Sequence, residues 1–167
     1  MSGIAALAIS KFGSSTFTAE ELKQRILSGV KPIDLRNYNE SKYTNKLGIG
    51  YADAALTLEE YEMNTLASIP QFVPSETQSG CTSIQLGITS SSVTKDNTFK
   101  YRIYYSTQPL VSVDNNTDNI SYRDIPVYYN TGNNKLKVII DELQPGTKYY
   151  FAVKTFARNG KASNLVI

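Results

Sequence analysis

Leu143-Gln144-Pro145-Gly146-Thr147-Lys148-Tyr149-Tyr150-Phe151-Ala152-Val153 is the stretch that decides how the larger part of this chain folds. Pro145-Gly146 is a turn signal. Behind it Tyr149, Phe151, Val153 and Thr155 alternate with Tyr150, Ala152 and Lys154, the period of a strand with one face turned inward. The same alternation recurs upstream in Cys81-Thr82-Ser83-Ile84-Gln85-Leu86-Gly87-Ile88, in Phe99-Lys100-Tyr101-Arg102-Ile103-Tyr104-Tyr105 and in Leu136-Lys137-Val138-Ile139-Ile140. Short strands divided by turn signals, with no helical pattern among them, predict an antiparallel sandwich over residues 69–167. Pro70 and Pro74 mark its start, and residues 64–68 read as the linker before it.

Leu143 to Val153 resembles the corner between the fifth and sixth strands of a fibronectin type III domain, a member of the immunoglobulin-like sandwiches. The resemblance implies that Tyr149 is the inward tyrosine whose hydroxyl returns a hydrogen bond to the corner, and that Asn159-Gly160 is the turn before the last strand. One departure stands out. Where this family usually places a tryptophan on its second strand, the chain has Ile88, and it contains no tryptophan at all. The core is therefore expected to be filled by Tyr101, Tyr105, Tyr149 and Phe151.

Residues 1–63 differ in composition, being rich in Ala, Leu and Glu where the rest is rich in Tyr, Thr, Ser, Val and Asn. Gly3 to about Phe12 reads as a helix apolar on every face, which belongs inside a protein. Gly13-Ser14-Ser15 breaks it, and Thr18-Ala19-Glu20-Glu21 is a capping box for a second helix with Leu22, Ile26 and Val30 on one stripe. Gly29 and Pro32 end that helix, and residues 31–45 read as a polar loop. Gly48-Ile49-Gly50 reads as a tight turn rather than a dinucleotide loop, lacking the third glycine. Asp53 caps a last helix from Ala54 to about Tyr61, with Glu59, Glu60 and Glu62 on a solvated face.

Ser2-Gly3-Ile4-Ala5-Ala6-Leu7-Ala8-Ile9-Ser10, the helix beginning at Thr18, and Leu47-Gly48-Ile49-Gly50-Tyr51-Ala52-Asp53-Ala54-Ala55-Leu56 together resemble the C-terminal third of a subtilisin-like serine protease. That resemblance covers residues 2–56 and implies an incomplete α-helical segment of an α/β fold. The family's catalytic Asp, His, Asn and Ser have no matching positions here and are expected before residue 1, so no catalytic residue is assigned. Ser2, Ser10 and Ser28 lack a base in reach of their hydroxyls, since the chain has no histidine. No cofactor-binding residue is assigned either.

Charge sets limits on partners. Residues 1–66 carry 7 basic against 8 acidic side chains and the remainder 10 against 7, a near-neutral and mixed balance that argues against a nucleic-acid surface or a polybasic membrane anchor. The apolar run Ile4–Ile9 is far shorter than the roughly 20 residues of a membrane span. Its first basic residue, Lys11, follows the run instead of preceding it, so it does not read as a secretory leader.

Lone Cys81 reads as a small, partly buried strand residue rather than a reactive thiol. Asp114-Asn115-Asn116-Thr117-Asp118 has the first spacings of a calcium loop. Asn119 stands where glycine is needed and Ile125 where the bidentate Glu belongs, so it reads as a loop tip and no metal site is assigned. Asn39-Glu40-Ser41, Asn115-Asn116-Thr117 and Asn119-Ile120-Ser121 fit the glycosylation pattern, which matters only in a secretory pathway.

The combined expectation is the non-catalytic C-terminal part of a secreted or cell-surface subtilisin-like endopeptidase, with a fibronectin type III module that positions a protein or peptide substrate or attaches the enzyme to a surface. The alternative is a stand-alone adhesion or scaffolding protein. Ile4, Leu7, Ile9 and Phe12 are expected to seek cover by self-association of the first helix, because the sandwich offers an ordinary polar exterior.

Overall fold

The computed structural model describes residues 2–32, 50–62, 64–111, 113, 120–127 and 135–167. Its elements are α1 (Ser2–Phe12), α2 (Ala19–Ser28), β1 (Val30–Pro32), β2 (Gly50–Ala52), α3 (Ala54–Thr57), β3 (Pro70–Phe72), a single 3-10 turn (Pro74–Glu76), β4 (Gln78–Ser79), β5 (Ile84–Ser90), β6 (Lys100–Ser106), β7 (Ser121–Pro126), β8 (Lys135–Ile140) and β9 (Tyr150–Phe156).

Two antiparallel sheets form the sandwich. In the first, β5 is central, paired along its length with β8 and at its two ends with β3 and β4. In the second the order is β7-β6-β9. The C-terminal segment adds to the free side of β9 through Val166 N to Val153 O at 3.0 Å and Ser163 N to Thr155 O at 2.9 Å. This is a fibronectin type III-like arrangement.

The alternation read from the sequence holds. Leu86, Ile88, Val138 and Ile140 of one sheet meet Tyr101, Ile103 and Val153 of the other in one buried cluster. Ile88, at the expected tryptophan position, is fully buried, as is Ile103. The missing indole is replaced mainly by β-branched side chains, which are stiff and pack well on a pleated surface. Of the four aromatics expected in the core, Tyr101 is buried and donates its hydroxyl to Ser90 Oγ at 2.9 Å, whereas Tyr105, Tyr149 and Phe151 pack around its margin. Tyr149 makes the expected corner: its hydroxyl accepts from the main-chain N of Gln144 at 3.1 Å.

Four features correct the sequence reading. Cys81 is exposed and precedes the strand, because Gly80 N closes a turn onto Ser83 O at 2.7 Å and pairing starts at Ile84. Val30 leaves the stripe of α2 and opens β1, which pairs antiparallel with β2 through Val30↔Ala52. The last helix ends at Thr57, not Tyr61, and Glu59 lies off it, drawn to Lys95 and Arg158. Finally, α1 is not enclosed: Ala8 is its buried residue, and Leu7 and Ile9 are each half exposed.

The capping box of α2 is present in both directions, with Glu21 N donating to Thr18 Oγ1 at 3.1 Å and Thr18 N to Glu21 Oε2 at 2.8 Å. Gly29 follows α2 where backbone must pass close to α3: a Cβ there would lie 2.1 Å from Thr57 Oγ1. Among the described residues the sheet beside these helices is this antiparallel pair, and nothing in the geometry ties them to a subtilisin-like fold. None of the described helices is long and apolar enough to cross a membrane.

Candidate interaction site at the joint of helices and sandwich

After β9 the chain turns through Ala157-Arg158-Asn159-Gly160, closed by Gly160 N to Ala157 O at 3.0 Å and Lys161 N to Asn159 Oδ1 at 3.0 Å. Gly160 has φ +83°, a left-handed conformation that suits glycine, and a Cβ on it would lie 2.6 Å from Gln24 Oε1 of α2. The turn therefore lies close against α2, and its polar side chains reach toward the helical residues.

The Arg158 guanidinium, only 4% exposed, donates through Nη1 to Glu59 Oε2 at 2.6 Å and through Nη2 to the Leu56 carbonyl at 2.7 Å. Its main-chain N donates to Asp96 O at 2.9 Å, and its carbonyl accepts from Gln24 Nε2 at 2.8 Å. Asn159 Nδ2 donates to Thr65 O at 2.8 Å. Lys95, from the turn between β5 and β6, also pairs with Glu59. The hydrogen bond from Lys95 and that from Arg158 hold the Glu59 carboxyl below its ordinary pKa. Residues 64–68, read as linker, are also tied down: Ser68 is buried and shares a 2.7 Å hydroxyl contact with Thr98.

Rings and guanidinium groups alternate across the same joint. Arg25 Cζ lies 3.5 Å from the Phe12 ring centroid and 5.0 Å from that of Tyr61, and Arg158 Cζ lies 5.3 Å from Tyr61. Such stacking is favourable and uses guanidinium planes that hydrate weakly. Arg25 Nη1, Tyr61 Oη and Asp96 Oδ1 are buried here without a hydrogen-bond partner.

A second polar cluster lies on the outer face of the second sheet. Arg102 Nε and Nη2 clasp Asp124 at 2.6 and 2.8 Å, and Lys100 Nζ reaches the same carboxylate at 2.6 Å. Arg102 also lies over the Tyr122 ring at 4.2 Å and the Phe156 ring at 5.1 Å, spanning three strands. Burial would raise the Asp124 pKa, but the Arg102 hydrogen bond and the Lys100 charge outweigh it and the pKa falls. Burial is the main influence on Lys100 and lowers its pKa. Both cations are already committed to Asp124, so this cluster reads as a clamp on the sheet.

The joint can bind and hold; the residues singled out from the sequence do not come together into a reacting constellation. Ser2 and Ser10 are exposed on α1, while Ser28 is buried and donates to Arg25 O at 2.9 Å. Asp114–Asp118 and the three glycosylation asparagines lie outside the described residues. Among the described residues there is no group of acidic, Cys or His side chains that could hold a metal ion. Arg158 was not legible as a key residue: an arginine beside Asn-Gly in a turn looks solvated, and only the fold brings Glu59 to it.

No protein-family model matches the chain, and no curated protein matches it. Among solved structures it is similar to the third fibronectin III domain of a human protein, at 17% identity and a TM-score of 0.36, over 65% of this chain and 86% of that domain.

Proposed function

We propose that this chain is a non-catalytic positioning module, a fibronectin type III-type sandwich fixed at a set angle to a helical unit so that a protein or peptide ligand is presented in one orientation. The observation that carries this reading is the buried Arg158, which joins Glu59 and the Leu56 carbonyl to the turn after β9. A flexible tether needs no such seam, and an attachment module gains nothing from one. The adhesion alternative is therefore the weaker of the two.

The resemblance of residues 2–56 to a subtilisin-like endopeptidase supplies the context we propose: a secreted or cell-surface protease to which this chain contributes support rather than chemistry. The half-exposed Leu7 and Ile9 support that context, because an all-apolar helix normally lies against neighbours. They equally support self-association of α1, which light scattering reads directly. Incubation of the chain with casein and with a fluorophosphonate probe tests the non-catalytic reading. Neither cleavage nor labelling is expected, because no histidine is present to activate a hydroxyl. Stoichiometric labelling of a serine would overturn it.

A further inference from the structure

We propose that Asn159 is a self-modifying site: the closed joint protects its side-chain amide from loss as ammonia, and that loss, once it happens, keeps the joint open. Asn159-Gly160 is the one Asn-Gly pair in the sequence. Asparagine is a thermolabile residue, and a following glycine, having no Cβ, leaves the attacking main-chain nitrogen unhindered. In the reaction Gly160 N gives its proton to hydroxide and bonds to Asn159 Cγ, the Cγ–Nδ2 bond breaks, and ammonia leaves. Water then opens the five-membered imide to aspartate or isoaspartate.

The closed joint engages the atoms of that step. Asn159 Nδ2 donates to Thr65 O at 2.8 Å and to Glu62 O at 3.4 Å, and Oδ1 accepts from Lys161 N at 3.0 Å. The nucleophile, Gly160 N, donates to Ala157 O at 3.0 Å. Attack requires Gly160 N to leave Ala157 O and the amide to turn from its partners, so it follows opening of the turn. The products explain the latch. Aspartate sets an oxygen without a proton against the Thr65 and Glu62 carbonyls, and such a pairing of acceptors is unfavourable. Isoaspartate lengthens the main chain of a closed turn by one methylene. The proposal shares the closed joint with the positioning reading, but it needs no ligand.

The intact chain is incubated in mildly alkaline buffer at body temperature, and the peptide holding Asn159 is followed by mass spectrometry with detection of isoaspartate. Native wild type is expected to deamidate about tenfold or more slowly than wild type unfolded in guanidinium chloride, since the rate tracks the open population. Arg158→Ala should approach the unfolded rate while slow hydrogen exchange in β5 and β6 shows its sandwich intact. Asn159→Asp, made directly, should quicken exchange in α2 and α3. Equal rates in native and unfolded wild type, with α2 and α3 exchanging slowly, would overturn the assignment and leave the positioning reading standing. Equal rates with fast exchange there would overturn both. Arg158→Ala deamidating as slowly as the native wild type, or Asn159→Asp exchanging like it, would likewise overturn the proposal.

Discussion

Arg158 and Glu59, 99 positions apart in sequence, meet at 2.6 Å between a turn of the sandwich and the second residue past α3. The contact joins two pieces of unlike composition. Replacing Arg158 with Ala removes this pair, the bond to Leu56 O and the stack on Tyr61 together. A loss of about 2–4 kcal/mol is expected in urea unfolding, most of it from leaving partners buried and unmatched. Hydrogen exchange should quicken in α2 and α3 and stay unchanged in β5 and β6.

Acid should loosen the same joint. The Glu59 pKa is depressed below its ordinary 4.5 by Lys95 and then Arg158, so its folded form favours the carboxylate. That contribution is complete above 4.5 and is lost as pH falls through the folded value. Glu59→Gln should therefore destabilise the chain near neutrality, and the gap to the wild type should shrink on acidification. A gap that widens toward low pH would have the wrong sign.

Asp124 contacts both Lys100 and Arg102 on the second sheet's outer face, with its side chain 13% exposed. Asp124→Asn should cost on the order of 2–4 kcal/mol by thermal or urea unfolding, since two half-enclosed cations lose their counter-charge. Asp141, at the sheet margin and 57% exposed, offers the contrast: its replacement by Asn should cost under about 1 kcal/mol.

The corner bond from Gln144 N to the Tyr149 hydroxyl is open to a single-atom test. Tyr149→Phe keeps the ring against the core and removes the acceptor, so a loss of about 0.5–1.5 kcal/mol is expected in equilibrium unfolding.

The sandwich was legible because the core-facing residues of its longer strands recur at every second position, and because Pro145-Gly146 and Tyr149 sit at fixed offsets from the strand they introduce. β3, β4 and β7 were not read. Pro70–Phe72 and Gln78–Ser79 are too short to show a period, and Ser121-Tyr-Arg-Asp-Ile-Pro turns Tyr122 and Asp124 to an outer face whose partners come from β6. The pair β1–β2 escaped because Val30 continues the helical spacing of Leu22 and Ile26 up to the residue where α2 has already ended. The joint was the least legible part. Glu59 and Arg158 each look solvated in their own neighbourhoods. Hydrogen bonds involving Gln24, Arg158 and Asn159 tie α2 and residues 56–65 to the turn after β9, contacts between polar side chains and main-chain carbonyls that carry no periodic signal.

Residual dipolar couplings test the central claim most directly, because they compare the orientation of α1 and α2 with that of β5, β6 and β9 in solution. A fixed joint predicts one alignment tensor that fits both sets of couplings, and two tensors once Arg158 is replaced by Ala. Two distinct tensors in the wild-type chain would contradict the account, since a sandwich that reorients freely on the helices cannot present a ligand in one orientation.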